Sequence, residues 1–184
     1  MDQFALKEQW AANMVRRREL LDLLPLVGRF SPVEHWRGRD LIAKYDVLND
    51  ITNEGKNKIF NVMFNTDTQI ANASWFIGLI SASGFSALAP TDTMASHAGW
   101  TELTGYTQAN RPAWGSVTST AQSVTNSTPA QFDLNATATS KGLFVVSNST
   151  KGGTSGVLWT TAQFSSDIPV VNGDQLKVTY TVNA

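Results

Sequence analysis

The chain has 184 residues, with 14 Lys and Arg against 15 Asp and Glu, a net charge of −1 and no cysteine. That length supports one core without staples, burying roughly 70% of the surface that the unfolded chain exposes. The balance excludes a disulfide framework, a thiolate nucleophile and a zinc ribbon, and it gives no electrostatic basis for wrapping nucleic acid.

The charge is unevenly placed. Of the 29 charged residues, 19 lie in the first 60 positions and only 10 in the rest. Beyond residue 65 the chain is dominated by Ser, Thr, Asn, Gly, Ala and alternating apolar residues. A charged, helix-leaning arm followed by a β domain poor in ionisable groups suits one piece of a larger assembly better than a catalyst. No run reaches the roughly 18–20 apolar residues of a membrane span. The acidic, amphipathic start does not read as a secretory signal, so the four Asn-x-Ser/Thr sequons at Asn72, Asn126, Asn135 and Asn148 are read as accidents of composition.

Residues 3–24 are predicted to form a helix. Asp2 suits its N-cap and the positive end of the helix dipole. Leu6, Trp10, Met14, Leu21 and Leu24 recur at helical spacing, interrupted by Arg17, and Pro25 ends the run. This stripe needs a cover, either the chain's own β domain or a neighbouring subunit. The Arg16-Arg17-Arg18 run sits among Glu8, Glu19 and Asp22, as a solvated or subunit-facing helix surface would. Residues 25–50 read as extended and irregular because Pro25, Gly28, Pro32 and Gly38 break periodicity, although 41–48 has strand character. Residues 52–64 form a second predicted helix, capped by Thr52 or Asn53, with Ile59, Phe60, Met63 and Phe64 on one apolar face and Gly55 weakening it slightly.

From about residue 73 the period falls to two. Trp75–Ser81 is a short apolar run that fits a strand buried on both faces. Phe132 to Thr139 alternates; Leu143–Val146 and Gly156–Phe164 are further buried runs. Leu176, Val178, Tyr180 and Val182 alternate with Lys177, Thr179, Thr181 and Asn183. Asn172-Gly173 is a hairpin signal of type I′, and Gly152-Gly153 a second turn. Seven or eight short strands with regular turns predict a mainly β fold, an antiparallel β-sandwich of jelly-roll or Ig-like type.

One stretch invites a catalytic reading. Asp92, His97 and Glu102 place two acids and a histidine within eleven residues, as an acid–base pair or a metal site would use. His35 is the only other histidine, and no nucleophile elbow, His-Glu-x-x-His or phosphate loop is present. The structural reading is that Thr91 or Asp92 caps a single helical turn and His97 satisfies a backbone carbonyl. No catalytic, metal or cofactor residue is therefore assigned. A sugar-binding reading rests on Trp100, Tyr106, Arg111 and Trp114, which lie close together in sequence. In the structural alternative, Trp100 and Trp114 plug the ends of the sandwich.

Four stretches together resemble a family of small virion proteins of tailed bacteriophages. They are Asn53-Glu54-Gly55-Lys56-Asn57-Lys58 leading into Phe60 and Phe64; Phe76-Ile77-Gly78-Leu79-Ile80; Asp92 through Trp100; and Val171 through Tyr180. Their order and spacing agree as well, over most of residues 50–184, while residues 1–50 match only loosely. The resemblance implies a structural virion component with no enzyme activity and no catalytic residues. Capsid decoration (cement) proteins and tail or head-fibre anchors both fit it.

The resulting expectation is a cement protein on the outer capsid surface, made in the bacterial host cytoplasm. It would be a homo-dimer or homo-trimer that binds the major capsid protein and neither nucleic acid nor membrane. Residues 1–50 would be a partner-contacting arm and residues 51–184 the β domain opened by helix 52–64. Phe4, Leu6, Trp10, Phe30 and Trp36 would be apolar anchors, with Arg16, Arg17, Arg18, Arg37 and Arg39 meeting acidic patches on the shell. The other reading is a fibre-anchor or receptor-binding, carbohydrate-binding virion module.

Overall fold

A computed structural model describes residues 26–119 and 121–184. It is mainly β, half of it strand with one α-helix, and its antiparallel sheet curls into a β-sandwich-like fold. The strands are β1 (Val27–Arg37), β2 (Asp40–Ile51), β3 (Phe76–Ser81), β4 (Glu102–Leu103), β5 (Ser123–Thr125), β6 (Ala130–Asp133), β7 (Ala138–Val146), β8 (Leu158–Val170) and β9 (Asp174–Asn183). The helix α1 (Asn53–Phe64) lies between β2 and β3 in the chain. The sheet order is β4-β3-β7-β8-β2-β1-β9-β5, with β6 also paired to β9.

The curl is made by β2. Along most of its length it pairs with β1, but its last two residues, Asp50 and Ile51, pair with Thr161 and Thr160 of β8. One strand therefore belongs to both halves of the sheet, and the halves close over a common core. Phe30, Val33, Phe132, Leu176, Val178 and Tyr180 come from one half; Ile77, Leu79, Leu143, Val145, Ala162 and Phe164 come from the other. Burying each of the larger side chains is worth about 1.5–3 kcal/mol. A smaller cluster of Ile80, Phe144, Val146 and Leu158 lies under Met94 and Trp100 of the 82–101 loop. That second layer explains why β3 and β7 are apolar on both faces, as the runs in the sequence predict.

Several other expectations hold. Thr52 caps α1, its Oγ1 accepting the Gly55 N–H at 3.0 Å. In β9 buried and half-buried residues alternate from Asp174 to Val182 as the pattern requires. The Gly152-Gly153 turn is present, with the Gly153 N–H donating to the Thr150 carbonyl.

Two expectations are corrected. Residues 27–50 are not an irregular arm. They form a hairpin turned at Gly38 (φ +61°), and β1 is clasped between β2 and β9 near the middle of the sheet order. Period-two counting misses β1 because the register shifts between Phe30 and Val33, so Phe30 and Val33 both point inward. A proline inside a strand is tolerated at such a bulge, where no ladder N–H is needed. Residues 27–51 thus belong to the same sheet as the later strands, and the predicted helix over 3–24 lies outside the described residues.

The second correction concerns Asn172-Gly173. Only Gly173 has positive φ (+91°), and the Asp174 N–H donates to the Val171 carbonyl. This is the geometry of a type II turn, which needs positive φ at its third residue alone. The strands it joins, β8 and β9, do not pair with each other. The turn is an arch from one half of the sandwich to the other, not a hairpin.

Candidate functional site

The acid–histidine–acid stretch is not gathered into one site. The Asp92 carboxylate accepts from the Ala89 N–H and from the Trp100 indole N–H, both at 2.9 Å. His97 stacks on the Trp100 ring at 4.0 Å, and its Nδ1–H donates to the Trp100 carbonyl at 2.9 Å. Both residues pin the loop that covers the second core cluster. The expected helical turn is instead a tight bridge between Thr93 and Ser96. Glu102 points elsewhere, into a bidentate pair with Arg111 (3.0 and 2.8 Å), and also accepts the Gly152 N–H.

The aromatic residues of the sugar-binding reading are buried. Trp100, Tyr106, Arg111 and Trp114 are each less than a tenth exposed, so they offer no stacking platform to solvent. Arg111 additionally donates to the Asn148 and Gly153 carbonyls, stapling the 148–153 turn onto β4. Burial, and then the neighbouring Glu102 charge, hold the Tyr106 hydroxyl well above its ordinary pKa. Trp114 sits in the main core and donates to the Tyr180 carbonyl. Among the described residues no cluster of three metal-ligating side chains occurs, and no helix is long and apolar enough to cross a membrane.

The expected partner anchors separate into three groups. Phe4, Leu6, Trp10, Arg16, Arg17 and Arg18 lie outside the described residues. Phe30 is fully buried against Tyr180, with ring centroids 4.4 Å apart, so it is a core residue and not a surface anchor. Trp36, Arg37 and Arg39 lie at the turn end of the β1–β2 hairpin. That places them a strand's length, about 33 Å, from the N-terminal end of β1. Trp36 donates to Glu34 and lies under the Lys177 ammonium at 5.1 Å. Arg37 holds both oxygens of Asp174, while Arg39 is exposed on the turn.

A surface that sequence reasoning passed over lies at the opposite end. The helix α1 turns Gly55, Lys58, Ile59 and Val62 toward the sheet. A Cβ on Gly55 would come within 2.5 Å of the Trp159 carbonyl, so the absence of a side chain is what lets the helix backbone approach β8. The other side carries Phe60, Met63 and Phe64, which are 58%, 67% and 77% exposed. Phe60 and Phe64 stack on each other, with centroids 6.5 Å apart, but are covered by nothing further among the described residues.

Two apolar grooves flank this ridge. One, of about 540 Å³, is lined by Leu26, Val27, Ile51, Ile59 and Phe60. The other, about 250 Å³, is lined by Ile59, Val62, Met63, Ile70, Trp75 and Trp159. The amphipathic pattern of 52–64 identifies the helix, but it does not tell which apolar residues face the sheet. Phe60, Met63 and Phe64 together form an exposed apolar patch on one helix face. No protein-family model matches the chain, and a search of curated proteins finds no similar one.

Proposed function

We propose that the chain is a structural virion protein of a tailed bacteriophage, a decoration or cement protein that binds the head shell. The observation that carries the reading is the apolar ridge of α1, exposed among the described residues and set beside the point where residues 1–25 join the sheet. The buried charged groups are consumed internally: Glu102 by Arg111, and Asp174 by Arg37 and His35. Among the described residues the helix face of Phe60, Met63 and Phe64 is left outward, and it supports a docking role. The resemblance to small virion proteins agrees with this, because its stretches fall on α1, β3, the loop over the second core cluster, and the arch into β9.

On this reading the contact is made by residues 1–25 where they join the sheet beside α1, with Phe4, Arg16 and Arg18 among the anchors. Weak anchors on one subunit act at high effective concentration, and oligomerisation multiplies them. The test is capsid binding by a chain lacking residues 1–25. It is expected to keep its β spectrum by circular dichroism and to lose sedimentation with purified heads of the cognate phage. Undiminished binding by the truncated chain would reject this contact surface.

A further inference from the structure

We infer that the ridge and grooves of α1 are the seat of the chain's own residues 3–24. Three observations meet here. The ridge is apolar and, among the described residues, uncovered, with Phe60, Met63 and Phe64 all more than half exposed. The segment before the described residues carries an apolar stripe at helical spacing, Leu6, Trp10, Met14, Leu21 and Leu24, that needs a cover of its own. And the two are joined at the site itself: Leu26, the first described residue, is part of the groove wall beside Ile59 and Phe60. Pro25 alone separates it from Leu24.

The lengths agree. A helix over residues 3–24 would be about 33 Å long, and α1, with twelve residues, is about 18 Å. The segment can cover the whole ridge and still extend past it. A second copy could offer the same stripe, but a segment tethered one residue from the groove acts at an effective concentration on the order of millimolar. The tether therefore favours the chain's own segment over one delivered by collision. At 100° per residue, Phe4, Arg16 and Arg18 fall outside the stripe, and Arg17 alone of the three arginines falls within it. Docking would thus bury the apolar side of the segment and leave Phe4, Arg16 and Arg18 for another partner. The docking is a property of the chain alone and does not require the particle reading.

Hydrogen exchange on the full-length chain tests this, comparing wild type with a variant carrying Met14→Ser, Leu21→Ser and Leu24→Ser, the stripe residues nearest the tether. The amides of α1 from Ile59 to Phe64 are expected to exchange at least about tenfold faster in the variant, while β7 and β9 keep their protection. Equal exchange of α1 in the two proteins would overturn the inference. So would wild-type protection of α1 that fades on dilution, because that assigns the seat to a second copy. The β7 and β9 amides report separately that the variant is folded. Capsid binding is not read in this experiment, so its outcome does not depend on the proposed function.

Discussion

Asp174 accepts four hydrogen bonds while wholly buried: two from Arg37, one from His35 Nε2–H at 2.8 Å and one from the Val171 N–H at 3.0 Å. The Arg37 guanidinium, followed by the Val171 N–H and the His35 ring, holds its carboxyl far below the ordinary carboxylate range, against the cost of burial. A depressed carboxyl contributes stability that is fully present above its unfolded pKa, about 3.9, and lost as the pH falls from there toward the folded value. Asp174→Asn is expected to cost about 2–3 kcal/mol at neutral pH, since it leaves buried donors poorly paired. Its melting temperature should fall less steeply than that of wild type below about pH 4. Parallel pH profiles would contradict this role. Glu102 makes a sharper case, because Arg111 is as deeply buried as any charge described. Glu102→Ala strands that guanidinium and is expected to cost about 3–5 kcal/mol in urea unfolding. A loss under about 1 kcal/mol, typical of a surface pair, would show that the pair is not structural. Neither partnership was legible in the sequence. His35 and Asp174 are 139 residues apart, and only the pairing of β1 with β9 brings them together.

At the scale of elements, legibility followed regularity. The strand β9 was readable because its buried residues keep strict alternation, and β3 because an apolar run bounded by polar residues has few other uses. By contrast, β1 was hidden by its own bulge. The hairpin signal at Asn172-Gly173 was real turn chemistry, but a local motif does not state whether the strands it joins will pair or cross between halves. The helix was found with its cap, yet its orientation was not, and Gly55 carried the overlooked signal. Read in sequence as a mild weakness in a helix, it is the point of closest approach to β8. Gly55→Ala should gain up to about 1 kcal/mol of helix propensity. The clash with the Trp159 carbonyl, costing about 1–3 kcal/mol, should outweigh it. A net loss of about 1–2 kcal/mol with weakened protection of α1 is the expected outcome. A more stable variant would mean that α1 is not held at that contact.

Among the described residues, the molecule combines a closed β core with a helix face whose large apolar side chains are more than half exposed. The core is drawn, among the described residues, from residues 30–182, with Leu26 packed against it, and removing residues 1–25 is not expected to unfold it. The four most exposed large apolar side chains among the described residues are Phe64, Leu48, Met63 and Phe60, three of them on α1 beside the end of β1 where residues 1–25 attach. The sequence's uneven charge pointed to a division near residue 65, and charge density does not report that residues 27–51 already supply two strands of the sheet. The central claim is that this protein is a repeated component of a phage head surface, and copy number tests it most directly. Quantitative mass spectrometry of purified particles is expected to find the chain in fixed ratio to the major capsid protein, with copies in the hundreds. Absence from the particle, or only the few copies of a tail ring, would contradict it.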